Sequence, residues 1–191
     1  ITGSIASGKT TASKIISNNR GLLFSADKIV QNLYKKKELK KIIAKKFKIK
    51  LNSKFKAQLK SKILEKKTNL NKLERIIHPR VRKELLLFIK NNKNKALLFF
   101  EIPLLIESKL KHYFDKVIFI KSNKLLRQKR FKISGGDQRL FSFLDSNQIK
   151  DTKKMKLCDH IVVNNKTKLI LKKKLFNIIK NYEWNILRYR D

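Results

Sequence analysis

The chain is poor in the residues that usually advertise a special architecture: one cysteine, two prolines, five glycines and 14 acidic side chains in 191 residues. With Cys158 as the single thiol, no intrachain disulfide can form. Three widely spaced histidines, His78, His112 and His160, show no metal-ligand spacing among themselves or with Cys158, which argues against a structural metal. No apolar run reaches the length of a membrane span and no signal peptide is visible, so a cytosolic protein without a membrane partner is expected. Internal repeats and disordered linkers are also missing. What remains is one large domain, or a core with an insertion, long enough to bury a real core.

The scarcity of acid is set against 49 Lys and Arg, for a formal net charge of +35. Such a balance favours polyanionic partners, whether nucleotide, nucleic acid or an acidic surface. The competing reading is compositional drift, because the lysines are scattered along nearly every segment and do not gather into a stripe.

One stretch is sharply specific. Gly3-Ser4-Ile5-Ala6-Ser7-Gly8-Lys9-Thr10 fits the phosphate-loop pattern G-x-x-x-x-G-K-[ST] at every defined position. Glycines let successive backbone N–H groups turn inward, and the helix that follows adds the partial positive charge of its N-terminus. A nucleoside triphosphate is the implied ligand. Lys9 would reach the β- and γ-phosphates, Thr10 would complete the coordination of Mg2+, and Thr11 is an additional hydroxyl at the site. Ile1 adjoins the loop, which implies that an initiating Met and most of a first strand precede it.

Along the rest of the chain the two periodicities alternate. Lys9 to about Asn19 reads as a helix that Gly21 ends, and Leu22–Phe24 as a short buried strand. At that strand's end stands Ser25-Ala26-Asp27, where open α/β sheets bind ligands; alternatively Ser25 or Asp27 caps the following helix. From about Glu38 to Asn92 the pattern is helical and basic, with two helices meeting at His78-Pro79. Ala96–Phe100 is the next strand, followed by Glu101, which is either part of a magnesium hydration shell or a solvated strand-end residue. Lys116–Ile120 and Ile161–Val163 read as further strands. Between them Ser122 or Asn123 caps a helix rich in Arg and Lys (Arg127, Lys129, Arg130, Lys132), and Ser134-Gly135-Gly136-Asp137 interrupts it before a second helix. The pair is either a lid that closes over phosphates or one solvated hairpin. Thr167 to Tyr189 reads as a final amphipathic helix with Leu171, Leu175, Ile178, Ile179, Tyr182, Ile186 and Leu187 inward.

Strands alternating with helices predict an α/β fold of the P-loop NTPase type: a parallel five-stranded sheet flanked by helices, with a helical insertion and, where the basic helix pair closes over phosphates, a helical lid. Phosphoryl transfer needs a phosphate cradle, a metal, a group that orients the attacking oxygen, and cations that meet the developing charge. The loop, Thr10, Asp27 and the lid arginines are the respective candidates.

The phosphate loop, Ser25-Ala26-Asp27 with Ile29, His78-Pro79-Arg80-Val81-Arg82, Pro103-Leu104-Leu105-Ile106-Glu107 and Ile161-Val162-Val163-Asn164-Asn165 occur in an order that resembles the dephospho-CoA kinases over nearly the whole chain. The resemblance implies transfer of the ATP γ-phosphate to the ribose 3′-hydroxyl of dephospho-CoA. It also implies three parts: a nucleotide core (1–34, 93–121 and 155–191), a helical acceptor-binding insertion (35–92) and a lid (122–154). Residue by residue, Gly3, Ser4, Ile5, Ala6, Ser7, Gly8, Lys9, Thr10, Thr11 and Asn164 fall on the nucleotide site, with Asn164 by the adenine. Asp27 matches the second acidic residue of the family's Asp-Ala-Asp, the base, while Ser25 replaces the first. His78, Arg82, Leu104, Leu105 and Glu107 fall on the acceptor side; His78 read alone is equally a core histidine at a helix junction. Arg130 is similar to the first of two lid arginines, but Ser134 stands where the second is usual, which leaves Arg127 or Arg139 as substitutes. Ser4 and Ala6 replace family glycines, acceptable in the loop where φ is negative.

Two other readings stay open on sequence: another phosphate-loop kinase acting on a nucleoside or nucleotide, and, from a different class, a basic ATP-binding protein that binds nucleic acid. No RRM signature, zinc-ligand set or helix-turn-helix signal supports the latter, so only non-specific polyanion binding is expected.

Overall fold

The computed structural model describes the backbone of residues 1–188 and side chains through Tyr182. The chain divides into two compact units, Ile1–Ser25 with Asn92–Asp191, and Ala26–Asn91.

In the first unit all five expected strands form, and every pairing is parallel. They are β1 (Thr2–Gly3), β2 (Leu22–Ser25), β3 (Leu98–Glu101), β4 (Ile118–Lys121) and β5 (His160–Val163). The expected single five-stranded sheet is not what forms. A three-stranded sheet of order β1-β4-β5 stands beside a two-stranded one, β2-β3. The reason lies in β1, whose two residues carry a ladder to β4 alone. On its other edge, Ile1 makes two backbone bonds beside β3: its nitrogen donates to the Phe100 carbonyl at 2.5 Å, and the Ile102 N–H donates to the Ile1 carbonyl at 3.0 Å.

Short apolar strands buried on both faces are what a helix-covered parallel sheet requires. Ile118 and Ile120 on β4 and Val162 on β5 pack with Ala12 and Ile16 of α1 (Lys9–Ser17). Leu171, Leu175 and Ile179 of α9 (Lys168–Arg188) close the same cluster, whereas Ile186 and Leu187 lie outside the described side chains. Each such buried Ile or Leu contributes roughly 1.5–3 kcal/mol relative to exposure. Phe119, between Ile118 and Ile120, points by strand alternation to the opposite face and is fully buried.

Gly21 does not end the first helix. Asn18 caps it and Asn19 takes the left-handed conformation, φ 58°. Gly21 is needed two residues later, where a Cβ would stand 2.4 Å from the Leu97 carbonyl oxygen.

The second unit is helical: α2 (Ala26–Leu33), α3 (Lys37–Phe47), α4 (Phe55–Glu65) and α5 (Lys67–Asn91). Its core joins Leu33, Leu39, Ile43, Phe47, Phe55, Leu59, Leu73 and Ile77. Pro79 lies inside α5, so the two helices expected to meet at His78-Pro79 are one helix of 25 residues. Proline removes one backbone donor, yet the flanking apolar positions Leu73, Ile77 and Leu85 are all buried. Packing on both sides of the proline outweighs the local defect.

Back in the first unit, α6 (Lys124–Ile133) and α7 (Gln138–Asn147) flank the glycine pair, and α8 (Asp151–Met155) follows. Asp137 caps α7 by accepting from the Leu140 N–H at 2.7 Å. At α6 neither Ser122 nor Asn123 supplies a side-chain cap: the Ser122 hydroxyl donates to the Asn164 carbonyl at 3.0 Å, and Asn123 makes no capping bond.

Candidate active site

The loop between β1 and α1 takes the shape its glycines predict. Gly8, at φ 95°, is the residue before the first helical turn. A Cβ there would meet Asn164 Nδ2 at 2.3 Å, and one on Gly3, at φ 149°, would meet the Ile120 carbonyl oxygen at 2.4 Å. Both positions therefore need glycine twice over, for backbone angle and for space. Ala6 also lies in the left-handed region, at φ 56°. Ser4 does not, so of the two replaced glycines only Ala6 carries the steric strain of a Cβ.

Around this loop the first unit gathers several of the expected residues. The buried ammonium of Lys9 donates to the Ser4 carbonyl at 2.8 Å. Asn164, buried at the end of β5, donates from Nδ2 to the Ser7 carbonyl at 2.9 Å. Arg130 reaches the same carbonyl at 3.3 Å, and donates also to Ser122 Oγ at 3.0 Å and to the Asn164 carbonyl at 3.1 Å. Arg127 is buried against Asp145 at 2.5 Å and reaches the Ile5 carbonyl at 3.5 Å. Arg139 is exposed on α7. Ser7 contributes a buried Oγ with no hydrogen-bond partner among the described residues.

Beside the loop, Thr10 Oγ1 donates to Glu101 Oε1, and Ser25 Oγ donates to Glu101 Oε2 at 2.9 Å. Glu101 is only 1% exposed, which rules out the solvated strand-end reading. The donor set suits a hard cation: a threonine hydroxyl oriented by a carboxylate, next to where phosphate oxygens would complete the shell. No group of three or more His, Cys, Asp or Glu among the described residues forms a cage for a metal by itself. Residues and magnesium therefore fit, provided that phosphate supplies most of the ligands.

The expected acceptor residues divide between the two units. Leu105 is buried and Leu104 half-buried after β3. Glu107 is bound to the buried ammonium of Lys154 at 2.7 Å and accepts from the Ile149 N–H at 3.2 Å. In the second unit, Asp27 is exposed in the first turn of α2, and Thr11 is exposed on α1 in the first unit. His78 and Arg82 stand one turn apart on α5. Partial burial, and then the Arg82 guanidinium, hold the His78 imidazole below its ordinary pKa and hence neutral at pH 7.

Gln148, Asp151 and Lys154 went unmarked by any motif, although all three bond within the network around the loop. Only the unusual burial of a lysine distinguishes them, and burial of one lysine among many is not legible in this composition.

A family model described as dephospho-CoA kinase matches residues 1–169. The dephospho-CoA kinase of Bartonella quintana (strain Toulouse) is 34% identical over 187 residues, covering 95% of each chain. That of Fusobacterium nucleatum subsp. nucleatum is 31% identical over 176 residues, 86% of this chain and 88% of the relative. Among solved structures, a dephospho-CoA kinase from Campylobacter jejuni superimposes with a TM-score of 0.62 at 30% identity, over 94% of this chain and 93% of the other. A Thermus thermophilus protein, at 21% identity and a TM-score of 0.74 over 94% of both chains, shares the fold.

Proposed function

The chain belongs to the dephospho-CoA kinase family, and we propose on that premise that it transfers the γ-phosphate of ATP to the ribose 3′-hydroxyl of dephospho-CoA, giving coenzyme A and ADP. The observation that carries this reading into the residues is the loop itself. Gly3–Thr10 is folded against β4 and Asn164 with Gly8 opening α1, and Thr10 is held by the buried Glu101.

In this mechanism the loop amides and the α1 N-terminus receive the phosphates, and the Lys9 ammonium moves from the Ser4 carbonyl to the β- and γ-oxygens. Thr10 Oγ1 would hold magnesium, with Glu101 orienting the hydroxyl. When bound, magnesium draws negative charge off the phosphate oxygens. Asp27 accepts the proton of the attacking 3′-hydroxyl, or orients that hydroxyl, as the bond to phosphorus forms. Arg130, anchored at the Ser7 carbonyl beside Gly8, stabilises the charge that develops on the transferred group. Asn164 shapes the nucleotide side of the loop. His78, Arg82, Leu104, Leu105 and Glu107 serve the acceptor side; a neutral His78 is suited to hydrogen bonding there and Arg82 to a phosphate.

The second unit is then the acceptor-binding body, and α6 and α7 the lid. A cytoplasmic location accords with an ATP-dependent reaction and with a lone thiol that makes no intrachain disulfide. No helix of the described residues is long and apolar enough to cross a membrane.

ADP release with ATP and Mg2+ tests the reading, comparing dephospho-CoA, adenosine, a nucleoside monophosphate and short RNA as acceptors. Turnover confined to dephospho-CoA is expected. Activity on a nucleoside, or stimulation by RNA without turnover of dephospho-CoA, would overturn it.

A further inference from the structure

The phosphate loop is held at Ser4-Ile5 by side chains more than a hundred residues away, from Gln148 just after α7 and Asp151 at the start of α8. The Ser4 hydroxyl donates to Asp151 Oδ1, and the Ile5 N–H donates to Gln148 Oε1 at 3.2 Å. That same Gln148 oxygen accepts from Lys154 Nζ at 3.4 Å, and the ammonium lies 2.7 Å from Glu107 Oε1. Lys154 is 0% exposed. A buried ammonium is tolerated only when paired and hydrogen-bonded, and Lys154 meets that demand with one carboxylate and one amide oxygen. The Gln148 oxygen is thereby shared between two donors, so turning the amide away would leave both of them short of an acceptor. Arg127 completes the grip by donating to the Ile5 carbonyl, which gives both backbone polar groups of Ile5 a partner beyond the loop.

We propose that Gln148, backed by Lys154 and joined by Asp151 on the Ser4 hydroxyl, is a positioning latch for the phosphate loop, coupling the α7–α8 segment to nucleotide binding. The proposal rests on the reading of Gly3–Thr10 as the nucleotide site. Its consequence is local. Ser4, which Asp151 holds by its hydroxyl, is the residue whose carbonyl receives the Lys9 ammonium, so the latch sets the starting position of the cation that meets the phosphates. A buried ion pair adds little net stability compared with apolar packing of the same volume, so a pair retained at this place acts by fixing one geometry.

ADP titration of the intact protein, together with separate KM values for ATP and for the acceptor, tests the latch in Gln148→Ala and Gln148→Glu. Loss of the hydrogen bond to the Ile5 N–H, with that to Lys154, should weaken ADP binding about fivefold in Gln148→Ala and raise the KM for ATP equally, with the acceptor KM unchanged. Gln148→Glu keeps an acceptor oxygen and should recover most of the affinity. Lys154→Met combined with Glu107→Gln removes both buried charges together and should reproduce the weakened ADP binding of Gln148→Ala without stranding either charge; the acceptor KM is read in the Gln148 variants alone, because Glu107 serves the acceptor side. A wild-type protein that does not bind ADP would overturn the nucleotide-site reading itself. Wild-type binding matched by Gln148→Ala, or a lowered melting temperature with unchanged KM for ATP, would overturn the latch alone.

Discussion

Ser25 and Glu101 stand directly opposite each other at the ends of β2 and β3, and the serine hydroxyl donates to Glu101 Oε2 at 2.9 Å. With Thr10 on the other oxygen, both ends of a buried carboxylate are fixed by hydroxyl donors. Such outer-shell groups orient a metal ligand, and their loss typically costs 10–100-fold in metal affinity or activity. Glu101→Gln is therefore expected to raise the Mg2+ concentration for half-maximal turnover by about tenfold or more, while leaving metal-free nucleotide binding in place. A Mg2+ titration at fixed ATP checks it; an unchanged midpoint would remove Glu101 from the metal shell.

The loop also contains a residue that a glycine would suit better. Ala6 sits at φ 56°, where a Cβ costs roughly 1–2 kcal/mol, partly offset by the greater unfolded-state freedom of glycine. Ala6→Gly is expected to stabilise the protein by about 1 kcal/mol and to raise the melting temperature by roughly 2–4 °C. Thermal denaturation measures this directly. A lowered Tm would mean that the alanine methyl packs favourably enough to outweigh its backbone strain.

That position shows where the sequence was legible and where it was not. The strands could be read because each is a short apolar run, such as Leu22–Phe24 or Ile118–Ile120, whose burial depends little on its partner. How they join could not, because the link between the two sheets is a pair of backbone bonds at Ile1, and backbone bonds carry no side-chain signature. Pro79 was read as a break because local rules forbid proline inside a helix; the apolar stripe from Leu73 to Leu85 overrode them. At the site, the loop was legible from residue types alone. Glu101 was ambiguous until its partners were known, and Gln148, Asp151 and Lys154 were invisible because their roles arise from contacts across about 40 to 150 positions of chain.

Lys9 and Asp27 are expected to fail differently. In the proposed mechanism Lys9 meets phosphate in the ground state and in the transition state, so Lys9→Ala should weaken ATP binding and turnover together. Asp27→Asn should leave ATP affinity near wild type and lower the chemical step by a factor on the order of 10² or more. Single-turnover kinetics beside equilibrium ATP binding separates the two cases. Unchanged turnover in Asp27→Asn would eliminate it as base.

Among the three arginines considered for the lid, geometry distinguishes their variants. Arg130 touches the Ser7 carbonyl, whereas Arg127 is committed to Asp145 and Arg139 is exposed on α7. Arg130→Ala should lower kcat more than it lowers ATP affinity, and Arg139→Ala should change either by less than about twofold. Steady-state kinetics on both variants decides; the reverse pattern would transfer the role to Arg139.

His78 gives the second unit a pH dependence of definite sign. Its folded-state pKa is lowered from 6.5 by burial and by Arg82, so below pH 6.5 the unfolded chain takes up a proton that the folded one resists. Its contribution is complete above pH 6.5 and is lost as pH falls toward the lowered folded value. Denaturant unfolding of the wild type between pH 5 and 7.5 should therefore show stability falling on the acid side, and His78→Gln, which cannot protonate, should flatten that part of the profile. A slope that persists undiminished in His78→Gln would assign the acid sensitivity to other groups and leave His78 as a residue whose neutral state matters only for what it binds.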